Sequence, residues 1–117
     1  MTIDLKIYLY KTLTTDDIIN IKNILSGEYV MWKEDGDLSV HYAFIKNVNI
    51  ERDVIYININ HIIIFDDVDE YRFYKNDKIS LNDIYNTENN HIEIIDKQSF
   101  TNVIERCIEK IKNKCNE

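Results

Sequence analysis

Between Val54 and Phe65 the chain reads Val-Ile-Tyr-Ile-Asn-Ile-Asn-His-Ile-Ile-Ile-Phe, an almost unbroken run of β-branched and aromatic residues. Such side chains lose rotamer freedom in a helix and pack well on a pleated surface, so the run requires a sheet. It predicts one long strand, or two strands joined near Asn58–Asn60.

The segments around it set the rest of the sheet. Ile3, Leu5, Ile7 and Leu9 alternate with Asp4, Lys6, Tyr8 and Tyr10, which predicts a first strand with one buried face. Thr14 or Thr15 offers an N-cap, Asp16 and Asp17 suit the positive end of a helix dipole, and Ile18, Ile21, Ile24 and Leu25 form an apolar stripe that Gly27 ends. The residues from Glu28 to Lys33 and from Leu38 to Ile45 favour strands, and the Asp35-Gly36 pair between them predicts a hairpin with a type I′ turn. Asn47–Asp53 reads as a loop, Tyr71–Tyr74 as extended, Leu81–Tyr85 as a short helix capped by Ser80, and His91–Ile95 as a last strand. From Phe100 to Cys115 the apolar residues follow helical spacing over four turns, with lysines at the C-terminal end where the dipole favours cations.

This order predicts an α+β domain: a single, mainly antiparallel twisted sheet, with an N-terminal and a C-terminal helix covering one face. At 117 residues the chain fits one domain, residues 1–117, with a core that needs neither disulfides nor metals. No stretch approaches the ~20 apolar residues of a membrane helix, so no membrane partner is expected. The first residues lack the basic, apolar and cleavage segments of a signal peptide, and the expected location is cytoplasmic. Cys107 and Cys115 lie eight positions apart on one predicted helix, about 12 Å along its axis, so they are expected as reduced thiols.

The formal net charge is −7, and it is regional. Nine carboxylates against three basic side chains leave −6 between residues 66 and 96, whereas residues 97–117 are net positive by two. Two acidic clusters stand out: Glu34-Asp35-Asp37 at the predicted hairpin tip, and Asp66-Asp67-Asp69-Glu70 after the long strand. Aromatics flank both, with Trp32 before the first and Phe65, Tyr71, Phe73 and Tyr74 around the second. Acidic loops commonly serve solubility alone, but carboxylates beside rings also suit a surface that meets a basic protein. Phe65, Phe73 and Trp32 are assigned to the core, which leaves Tyr71 and Tyr74 as contact candidates. The acidity disfavours direct binding of nucleic acid.

Catalytic chemistry has little support. The carboxylates from Asp66 to Glu70 offer oxygen ligands for Mg²⁺ or Ca²⁺, yet their spacing matches no calcium loop, and no metal or cofactor is expected. His41, His61 and His91 sit singly in strand-like sequence without zinc-ligand spacing, and Cys107 is expected as a buried, inert thiol. With Gly27 and Gly36 the only glycines, a phosphate-cradling loop cannot be written.

In size, acidity, single-domain α+β build and lack of catalytic motifs, the chain resembles in kind the immunity proteins that protect bacteria from their own nuclease toxins, including those of contact-dependent inhibition systems. The resemblance rests on whole-chain character and carries no residue roles. It implies a non-enzymatic antitoxin whose partner is a basic toxin or nuclease domain, with occlusion of the partner's active site as the mechanism. The contact residues expected from the charge pattern are Asp66, Asp67, Asp69, Glu70, Tyr71, Tyr74, Glu34, Asp35 and Asp37. Two alternatives remain at this level: a phage-encoded inhibitor of a nucleic-acid enzyme of the anti-CRISPR type, and a metal-dependent hydrolase using the carboxylates from Asp66 to Glu70.

Overall fold

The computed structural model describes residues 1–34, 39–65, 70–85 and 89–115. It is an α+β fold built on one six-stranded antiparallel sheet. In chain order the elements are β1 (Thr2–Asp4), a 3-10 turn (Leu5–Tyr8), α1 (Thr15–Leu25), β2 (Tyr29–Glu34), β3 (Ser39–Glu51), β4 (Val54–Phe65), β5 (Glu70–Ser80), α2 (Leu81–Ile84), β6 (His91–Ile95) and α3 (Lys97–Cys115). The sheet order is β1-β6-β2-β3-β4-β5. Among the described residues, no helix is long and apolar enough to cross a membrane.

The β-branched run forms a single strand, and its inward-facing Ile55, Ile57 and Ile59 are fully buried. Each such side chain contributes about 1.5–3 kcal/mol of burial free energy. The segment expected to be a loop from Asn47 to Asp53 is instead mostly strand. β3 continues to Glu51 opposite Val54, and only Arg52 and Asp53 turn the chain. Both have positive φ, 51° and 62°, the conformation a two-residue type I′ hairpin requires. Asp53 adds an anchor, because its Oδ1 accepts a 3.0 Å hydrogen bond from the Leu13 amide.

The first strand is shorter than its alternation implies. β1 pairs with β6 over only Thr2–Asp4, after which Asp4 accepts from the Lys6 amide and starts the 3-10 turn. The turn buries Leu5 and Tyr8 and leaves Ile7 exposed, so period two fails where the partner strand ends. α1 matches its sequence signals: Thr14 and Asp17 form a reciprocal capping box, and Gly27 follows the helix at φ 77°. Ser80 caps α2 through a bond to the Asp83 amide.

The two long helices lie on opposite faces, which corrects the expectation of one covered face. Ile21 and Leu25 of α1, with Leu81 and Ile84 of α2, pack against Val30, Ala43, Ile45, Ile57 and Ile59 in the main core. Val103 and Cys107 of α3 pack against Ile62, Tyr42, Ile64 and Tyr71, whose positions alternate with those of the main core along β3 and β4. The C-terminal helix therefore roofs a second, smaller core.

Two bulges meet at the middle of the sheet. β3 carries an extra residue at Lys46, and β5 carries one between Tyr74 and Asp77, where Asn76 has φ 58°. The Asn60 side chain of β4 accepts from the Asn76 amide at 3.2 Å, and Lys46 Nζ bonds the Asn76 side chain. Bulges sharpen local twist, so the two halves of the sheet present their faces differently.

Candidate partner-binding surface

Antiparallel register aligns four strand ends. Glu34 lies opposite Ser39, Ser39 opposite Phe65, and Phe65 opposite Glu70. With strands about 4.8 Å apart, Glu34 and Glu70 are about 14 Å from each other across one end of the sheet. Both acidic clusters therefore join the sheet along a single row. Asp35, Asp37, Asp66, Asp67 and Asp69, together with the predicted Asp35-Gly36 turn, lie outside the described residues.

Pairing and alternation place a second set of side chains on the same face as Glu34 and Glu70: Trp32, His41, Arg72, His61, Tyr74 and Asp77. Glu70 is exposed, and its Oε1 accepts from Arg72 Nε at 3.1 Å, which raises the guanidinium above its usual range. Arg72 also sits 5.0 Å over the ring of Phe65, a half-buried residue that caps the row rather than entering the core. Tyr74 is 40% exposed, with its ring 5.8 Å from that of His61.

Beneath this row lies a polar cluster that the sequence did not announce. His41 and His61 are both buried, on adjacent strands, and His41 Nδ1 is 2.7 Å from His61 Nε2. A carboxylate stands at each outer nitrogen: Glu34 Oε2 is 3.3 Å from His41 Nε2, and Asp77 Oδ2 is 3.7 Å from His61 Nδ1. Trp32, only 2% exposed, stacks on both imidazoles at centroid distances of 4.8 and 5.2 Å. Its Nε1 has no hydrogen-bond acceptor among the described residues.

Proton supply governs this chain of groups. Two neutral imidazoles carry two N–H protons, but three gaps run from Glu34 through both rings to Asp77, so one gap lacks a donor unless a further proton is bound. Burial opposes that proton most, followed by the neighbouring His41, and together they lower the His61 pKa to about 4 against the attraction of Asp77 and Glu34. At neutral pH the His61 ring is therefore uncharged.

Of the expected contact residues, Glu34, Glu70 and Tyr74 share this face. Tyr71 does not. It lies on the opposite face, half-buried in the second core, with Lys110 of α3 5.5 Å over its ring. Phe73, assigned to the core from sequence, is 54% exposed on that same opposite face, because β5 is an edge strand that α3 only partly covers. Trp32 is in the core as expected. The histidine pair escaped sequence reading because its members are twenty residues apart; the available signal was that each falls on the inward parity of its strand.

Among the described residues, no three His, Cys, Asp or Glu side chains are arranged to hold a metal ion. Cys107 is buried, and burial raises its thiol pKa, which keeps it in the less reactive protonated form. Comparison with known protein families, curated proteins and solved structures gives no match.

Proposed function

We propose that this chain is a binding protein that neutralises a basic protein partner by covering its active site, as an immunity protein does for a nuclease toxin. The observation that carries the proposal is the single row Glu34–Ser39–Phe65–Glu70, which brings Glu34 and Glu70, one carboxylate from each acidic segment of the sequence, to one end of one sheet. A nuclease cleft built for phosphates is electropositive, so a concentrated carboxylate rim is complementary to it and accelerates encounter. Tyr74, beside the rim and anchored on His61, supplies an aromatic contact of the kind that slows dissociation. The −7 net charge adds a long-range attraction of the same sign.

The test is affinity capture from the cell of origin, using the native chain and the variant Asp66→Lys/Asp69→Lys/Glu70→Lys as parallel baits. The native chain is expected to retain a basic protein that cleaves nucleic acid and loses that activity in the complex, and the variant is expected to lose it. Equal retention by both baits, or a partner that stays fully active when bound, rejects the proposal.

A further inference from the structure

α3 has an apolar stripe that its own sheet leaves uncovered. Val103 and Cys107 point into the second core, whereas Ile108 and Ile111 are each 44% exposed. Ile104, Ile108 and Ile111 are spaced by four and three residues, the alternation of a coiled-coil seam. At its N-terminal end the stripe continues into an apolar groove of about 360 Å³ between α3 and β5, where Ile104 and Phe100 face Ile62 and the exposed Phe73. Three exposed large apolar side chains, Phe73, Ile108 and Ile111, with the partly exposed Phe100 and Ile104 between them, constitute a patch that calls for a partner on a small, strongly charged protein.

The charges beside the stripe say which partner. Glu105 and Lys112 occupy equivalent positions along its outer flank, seven residues apart, and both are exposed. No ion pair engages either of them among the described residues. In an antiparallel helix pair a flank faces the same flank of its mate, so Glu105 would meet Lys112 of the second copy, and Lys112 would meet Glu105 of the second copy. The same register stacks Ile108 on Ile111 of the second copy in two symmetric layers. The stripe is thus self-complementary in both shape and charge under a two-fold axis. The neighbouring edge strand is a poorer route to pairing, because the bulge at Asn76 and the basic Arg72, Lys75 and Lys78 interrupt it.

We propose that the chain associates with a second copy of itself through antiparallel pairing of α3. The paired stretch of α3, Glu105–Lys112, packs on the opposite face of the sheet from the side chains of Glu34 and Tyr74, so the dimer leaves both acidic ends free and does not depend on the function proposed above.

Sedimentation equilibrium of the full chain from about 1 μM to about 1 mM, the range in which modest interfaces associate, tests it. The native chain is expected to move from monomer to dimer across that range, and Ile108→Glu/Ile111→Glu to remain monomeric with an unchanged circular dichroism spectrum. Glu105→Lys is expected to raise the dissociation constant about tenfold, and Glu105→Lys/Lys112→Glu to return it to the native value. Two results overturn the proposal: a native chain that stays monomeric throughout, which leaves the stripe to a different protein, or a charge swap that fails to restore association, which removes the antiparallel register.

Discussion

His41 Nδ1 and His61 Nε2 face each other at 2.7 Å across two neighbouring strands, in a cluster closed on one side by the ring of Trp32. Two imidazoles so close cannot both hold a charge cheaply. Burial, and then the neighbouring imidazole, disfavour a proton on His61, and this ties stability to pH.

The sign follows from the His61 pKa, which falls from 6.5 to about 4 on folding. Between those values the unfolded chain binds more protons than the folded one, so the stabilisation is complete above pH 6.5 and is lost as pH falls towards 4. The loss is on the order of 3 kcal/mol. Urea unfolding at pH 7.5, 6, 5 and 4.5 is expected to show this decline, and His61→Asn to flatten it. Trp32, the only tryptophan, gives an independent reading: its fluorescence should be quenched by the imidazolium with a midpoint near pH 4. A midpoint near 6.5 would contradict the lowered His61 value.

Charge reversal at the rim separates encounter from holding. For the captured partner, Asp66→Lys with Asp69→Lys is expected to lower the association rate by about tenfold or more at low salt and to reduce its salt dependence. Tyr74→Ala should instead raise the dissociation rate, with association little changed. Stopped-flow mixing measures both constants, and a Tyr74→Ala effect confined to association would contradict the aromatic role.

The α1 cap contributes a local, measurable share of stability. Thr14→Ala removes the acceptor of the Asp17 amide and half of the capping box, and is expected to cost about 1 kcal/mol in urea unfolding. Thr14→Ser should restore most of it, because the acceptor oxygen is kept.

The Arg52–Asp53 turn offers changes of opposite sign. Arg52 holds a left-handed conformation that favours Asn or Gly, so Arg52→Asn is expected to stabilise by about 0.5 kcal/mol. Asp53→Ala leaves the Leu13 amide without its acceptor in a half-buried position, and should destabilise by about 1–2 kcal/mol. Thermal melts of the two variants are expected to move in opposite directions.

Local chemistry was legible in the sequence wherever a short segment decides its own conformation. β-branched density marked Val54–Phe65 as strand, though not as one strand rather than two, Thr14 or Thr15 marked the start of α1, Ser80 that of α2, and apolar spacing marked α3. The α+β class and the single antiparallel sheet followed from the order of these elements. What tertiary structure alone decided is which residues share a face. Strand side chains alternate with period two, so pairing register and the bulges at Lys46 and Asn76 set every orientation, and a slip of one residue would invert them. That is why Tyr71 and Phe73 turned towards α3 while Tyr74 stayed with the acidic row, and why α1 and α3 took opposite faces. It is also why two histidines with no sequence relationship became neighbours: each obeyed its own strand's inward parity, and only the register between strands brought them to hydrogen-bonding distance.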